Sequence, residues 1–231
     1  MFAITNRLGL LLGLALLLGE LIPSCFPASV ERSANKREQL LATMIEEYLK
    51  LSDYELEHSK ALVQKVLASE AVMQMHTDLM EAERGIMENY VRQVTDKEEE
   101  EPPLKSNIAN RFFYLIAKTL IYQEFEAILR RHNTTNTRRN FQSENYLIER
   151  TLKENGLANW QRDVTQKQTQ FMNNFVNEVE AYLAQLTPAQ RSDEDGEAAK
   201  MLNWLAKMRA EANVEQRMET FKEFMRFFVK F

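Results

Sequence analysis

The sequence predicts an all-α fold: an elongated multi-helix bundle with one long helix, coiled-coil-like packing and no disulfides. Three observations predict it. After position 28, glycine occurs only at Gly85, Gly156 and Gly196, and proline only at Pro102, Pro103 and Pro188, so the punctuation that turns require is scarce. Apolar residues recur at spacings of three and four. No stretch alternates with the two-residue period of a half-buried strand between turn signals.

The elements follow from their start and stop signals. A first helix is predicted from about Ser33 to Leu51. Ser52-Asp53-Tyr54-Glu55 then has the capping-box pattern, serine followed three residues later by glutamate, and predicts a restart. The second helix would run from there to about Lys97, about 45 residues and so about 70 Å at the rise of an α-helix. The acidic run Glu98 to Glu101 and the Pro102-Pro103 pair end it, since proline lacks a donor and disfavours helix in the residue before it. Ser106 opens a third helix ending near His132, and a polar loop from Asn133 to Asn140 follows. A short helix from Ser143 stops at Gly156, read as a left-handed cap. Asn159 opens a long helix to Leu186, and Thr187-Pro188-Ala189-Gln190 starts another turn with proline in the first helical position. The last two helices are predicted at about 195–211 and 213–231. The chain after the signal segment, 30–231, thus reads as one helical domain with loops near 98–105, 133–141 and 187–195.

The faces point inward. Met73, Met80, Met87 and Val94 recur every seven residues, with Val72, Leu79 and Ile86 beside them, a seam that suits either a helix of the same chain or a second copy. A methionine stripe can form an adaptable groove, but the same flexibility fills irregular cores. Ile108, Phe112, Leu115, Ile116, Leu120, Phe125, Ile128 and Leu129 give the third helix a wide apolar stripe and predict the most buried element. At the C-terminus, Val214, Met218, Phe221, Met225 and Phe228 step by four and three along one face, which Phe224 and Phe231 widen. The opposite face mixes Glu215 and Glu223 with Lys222, Arg226 and Lys230, whereas a helix lying on a membrane carries a cationic polar face. Core packing is the favoured reading, because burying each phenylalanine contributes about 1.5–3 kcal/mol. Should the helix be exposed, Phe221, Phe224, Met225, Phe228 and Phe231 form a candidate recognition face.

The N-terminus addresses compartment. Arg7 precedes an unbroken apolar core from Leu8 to Leu18, followed by Pro23-Ser24-Cys25, the three parts of a secretory signal. Glu20 interrupts the run short of the roughly 20 apolar residues a spanning helix needs. Cleavage between 24 and 29, at Ser24, Cys25, Ala28 or Ser29, is therefore favoured over a signal anchor, leaving residues 1–28 as a removed segment and an extracellular destination. Cys25 is the only cysteine, so no disulfide framework exists. The net charge of −5 argues against a nucleic-acid partner, which would face a basic surface.

Catalytic and metal constellations do not assemble. Glu55 and His58 make one Glu-x-x-His step, but a di-iron bundle needs a second, and His76 and His132 have Met73 and Leu129 at the matching position. Asp193-Glu194-Asp195-Gly196 resembles part of a calcium loop, yet Arg191 and Leu202 stand at its first and last ligand positions. No phosphate loop or nucleophile elbow is present. An enzyme is not expected, and no cofactor or metal. Asn133-Thr134-Thr135 is the chain's single N-glycosylation sequon, in a polar loop where a secreted protein would carry a glycan. Lys36-Arg37 and Arg138-Arg139 are candidate dibasic processing sites, although a solvated basic cluster explains both pairs without processing. The leading expectation is a secreted, non-enzymatic helical protein that binds an extracellular protein partner, as a signal, modulator or fluid-phase factor. The alternative is an extracellular carrier whose Phe and Met faces enclose a lipophilic ligand. A weaker one is a membrane-anchored structural protein with an uncleaved N-terminus. Self-association through the Met73/Met80/Met87/Val94 seam stays open at this point.

Overall fold

The structure, a computed structural model, describes residues 28–133, 143–191, 196–214, 216–218 and 220–221. Among them the regular structure is helical, with no strand. The helices are α1 (Ala28–Leu67), α2 (Glu70–Gln74), α3 (Asp78–Glu99), α4 (Ile108–Arg131), α5 (Ser143–Glu154), α6 (Leu157–Ala184), α7 (Pro188–Arg191) and α8 (Glu197–Ala210). Residues 214, 216–218 and 220–221 are helical as well.

Several ends fall where the sequence places them. Helix α3 ends just ahead of Glu100, Glu101 and the Pro102-Pro103 pair. Asn107 caps α4, its side chain accepting the backbone N–H of Asn110 at 3.0 Å. Gly156, with φ +100°, turns the chain between α5 and α6, a conformation that a side chain would strain. At Thr187 a reciprocal box forms: the Gln190 N–H donates to the Thr187 hydroxyl at 3.3 Å, and the Thr187 N–H donates to Gln190 Oε1 at 2.9 Å.

The long helix is a correction. It is α1, 40 residues ending at Leu67, and it passes through Ser52 without a break. Ser52 is buried inside the helix, flanked on one face by buried Leu51, Glu55 and Leu56. A cap contributes about 1 kcal/mol, less than the burial of those leucines, so the cap is forgone. The break falls at Ala68–Ser69 and again at 75–77, where neither glycine nor proline stands. Val72 on the short α2 is fully buried, and Thr77 caps α3 by accepting the Met80 N–H at 3.2 Å. Among the described residues no helix reaches 45 residues.

The chain divides into two compact units, one of residues 49–164 and one of 1–48 with 165–231. In the first, α3 closes on α4. Met80, Met87, Tyr90 and Val94 are fully buried, with Phe125 and Ile128 from α4 and Ile148 from α5 in the same core. Three members of the seven-residue seam are thus spent inside the chain. Met73 departs from it: on the separate α2 it is 47% exposed. Helix α4 buries nine of its 24 residues, a larger share than α3 with five of 22, as its apolar stripe predicts. Phe112, Leu115 and Phe125 face in, while Phe113 and Leu120 are exposed.

In the second unit, Met44 and Ile45 of α1 are buried, as are Phe171, Phe175 and Val179 of α6 and Met201, Trp204 and Met208 of α8. The Trp204 indole N–H donates to the Thr220 carbonyl at 2.6 Å, so its one polar atom is satisfied. The seam predicts a contrast in urea unfolding. Met87→Ala should lower stability by about 3 kcal/mol, as for other buried methionines cut to alanine, while Met73→Ala should stay within about 0.5 kcal/mol of the parent.

Candidate functional site

The sequon corner is built from polar side chains of α3, α4 and α5. The end of α4 delivers Arg131 and His132, and Asn133 follows directly, its backbone N–H donating to the Arg130 carbonyl at 3.4 Å. Arg131 Nη1 lies 3.2 Å from Oε1 of Glu83, a buried carboxylate of α3. His132 is 1% exposed; its Nδ1 lies 3.0 Å from Asn145 Oδ1 of α5, and its Nε2 lies 3.3 Å from Glu83 Oε2 but out of line for a hydrogen bond. Burial holds the imidazole below its ordinary range, against the opposing pull of the Glu83 charge. One helix turn away, the Thr77 hydroxyl donates to Glu144 Oε1 at 2.8 Å, clasping the start of α3 to the start of α5. The backbone N–H of Glu144 and the Thr77 and Ser143 hydroxyls keep that exposed carboxyl below its usual range. The segment that begins at Asn133 therefore leaves from a fixed point and returns to one at Ser143. The rest of the sequon loop, with Arg138 and Arg139, lies outside the described residues.

The Glu-x-x-His step does not make a metal site. Glu55 is buried, while His58 is exposed, stacks on Tyr54 at 4.0 Å and has Nδ1 3.0 Å from the Tyr54 carbonyl. The two ligand atoms point to different environments. Among the described residues no group of three potential metal ligands occurs. Nearby, the Ser59 hydroxyl meets the Tyr90 hydroxyl at 2.6 Å and also donates to the Leu56 carbonyl at 3.1 Å. Burial raises the Tyr90 phenol above its ordinary range despite the Ser59 contact. This buried hydroxyl pair links α1 to α3 and is structural.

Of the candidate recognition face, Phe221 is the described member, and it is buried. It sits 5.2 Å from Phe175 and 5.4 Å from Phe171, edge to face with both, and 5.9 Å from Tyr48. Met218, one turn earlier, is buried too. The face thus begins as core. Phe224, Met225, Phe228 and Phe231 lie outside the described residues. Lys36 and Arg37 sit within helical α1, with Lys36 Nζ donating to the Gln185 carbonyl at 3.4 Å. Exposed large apolar residues that the sequence did not single out are Leu104, 78% exposed in the loop before α4, Phe113 and Tyr146. The signal for Phe113 was present in its pairing with Phe112: adjacent helix positions point about 100° apart, so one element cannot easily bury both.

Phe221→Ala should lower stability by about 3–5 kcal/mol, the cost of removing a buried phenylalanine. Thermal or urea unfolding checks this, and a near-neutral value would mean that the ring is a surface group.

No protein family, no curated protein and no solved structure matches this chain.

Proposed function

We propose that this chain is an exported, N-glycosylated helical protein that acts by binding another protein and has no catalytic activity of its own. The observation that carries the reading is the joint occurrence of a signal-type N-terminus and a single sequon whose asparagine stands where α4 ends. A glycan there would extend from a corner fixed by three helices. The lack of cysteine after position 25 is compatible with export, because both units are held by side-chain burial. Lys36-Arg37 lies in helical backbone, which supports the solvated reading of that pair over processing, since proteases favour exposed loops and termini.

The lipophilic-carrier reading is the less favoured one. Its lining would come from the Phe and Met faces, and the described members of those faces pack on one another: Phe171, Phe175 and Phe221 ring to ring, Met80 and Met87 in the core beside Phe125. An anchor remains the weakest reading. Among the described residues no helix is long and apolar enough to cross a membrane, and Leu8 to Leu18 lies outside them.

The test is the intact mass of the protein recovered from culture medium, before and after enzymatic removal of N-glycans. The expected species begins between Cys25 and Val30 and carries one glycan, which Asn133→Gln abolishes. Retention in membranes with residues 1–25 attached would overturn the export reading. Native mass spectrometry of the same material separates the two binding classes: a protein-binding factor should be free of lipid and keep its Tm on delipidation, whereas a carrier should do neither.

A further inference from the structure

Glu83, His132 and Asn145 reach one buried point from α3, α4 and α5. We infer that this cluster is an acid-sensitive clasp, holding α5 and the end of α4 against α3 at neutral pH and loosening in mild acid.

The geometry sets the direction. Oδ1 of Asn145 faces Nδ1 of His132 at 3.0 Å, so the proton of a neutral ring belongs on Nδ1, which donates to that oxygen. Nε2 is then an unprotonated, buried nitrogen 3.3 Å from Glu83 Oε2. The carboxylate near it is already engaged: Arg131 Nη1 lies 3.2 Å from one Glu83 oxygen and 3.5 Å from the other. A proton arriving on Nε2 would place a second cation beside the one carboxylate that Arg131 already pairs with, on a ring that has no exposure to water. Burying an unbalanced charge is costly. Among the described residues, the charged groups acting on the ring are Glu83 from α3 and Arg131 from its own helix, while α5 presents the neutral Asn145. Desolvation outweighs the attraction of Glu83, consistent with an imidazole held below its ordinary range.

A histidine whose folded pKa lies below its unfolded value binds fewer protons when folded, so stability rises with pH. The contribution is fully present above about pH 6.5, the unfolded value, and is lost as pH falls from there through the folded value. Glu144, the shifted group on α5 itself, is a carboxyl, and its contribution changes only below about pH 4.5. The two windows are separate.

The experiment is amide hydrogen exchange on the full chain at pH 7.0 and pH 5.5, corrected for intrinsic exchange rates. Peptides covering 143–154 report the clasp, and peptides covering 171–184 serve as the internal control. In the parent protein the opening equilibrium of 143–154 should rise several-fold in acid, with a ceiling of about eightfold set by an unfolded imidazole near pH 6.5. The control should hold steady. His132→Gln should remove the acid response whatever its basal protection, and Glu83→Gln should keep it, because the proton lands on the ring. A flat response in the parent, or an acid rise in His132→Gln equal to the parent's, overturns the clasp. Loss of the response in Glu83→Gln would assign the proton to the carboxyl and overturn it equally. If His132→Gln does not fold, the parent and Glu83→Gln decide the matter between them.

Discussion

With its one cysteine at position 25, the described chain has no covalent cross-link, so its structure depends on how completely helix faces bury one another. The closure of α3 on α4 in residues 49–164 shows what that requires. Met80, Met87, Tyr90 and Val94 present no surface to solvent, and Phe125 fills the space opposite, its ring 5.7 Å from that of Tyr90. Each such side chain contributes about 1.5–3 kcal/mol. Several polar atoms drawn in with them are tied, Tyr90 to Ser59, Glu83 to Arg131, and in the other unit Trp204 to Thr220, while the Ser52 hydroxyl and the Trp160 indole N–H are buried without a hydrogen bond. A buried group left without a partner costs about as much as a buried methyl cluster contributes, so these contacts keep the apolar gain from being cancelled.

Where the sequence was legible, the signal was local and unopposed. Pro102-Pro103, Gly156 and the Thr187–Gln190 box act on the backbone directly, and no tertiary contact competes with them. Where it misled, packing outweighed a local signal. Ser52 offers a cap, but Leu51 and Leu56 on either side of it need a continuous helix to reach the core. The opposite happens at 68–77, where good helix formers are interrupted so that Val72 can be buried and Thr77 can reach Glu144. Met73 keeps the seven-residue spacing in sequence and loses it in space, because a repeat counts residues and the break changes the helix that carries them. Leu120 fails for another reason: α4 has more large apolar side chains than one buried face accommodates.

The same reasoning locates the candidate site. Asn133 was legible as a three-residue pattern. The polar corner that holds it was not, since Glu83, His132 and Asn145 are far apart in sequence and meet only when α3, α4 and α5 assemble. For Phe221 the sequence favours core packing over recognition, and at that position the ring is core, in contact with Tyr48, Phe171 and Phe175. Aromatic density in a chain without disulfides is thus first a demand of stability, and a partner would meet what remains outside.

Met80, Met87 and Val94 close their seam within one chain. The most direct measurement is the Tm of the purified protein across a hundredfold range of concentration, alongside its molar mass by light scattering. Intrachain closure predicts a monomer mass and a Tm that does not move with concentration. A dimer mass with a Tm that climbs with concentration would mean that assembly is part of folding and that the seam closes between chains instead.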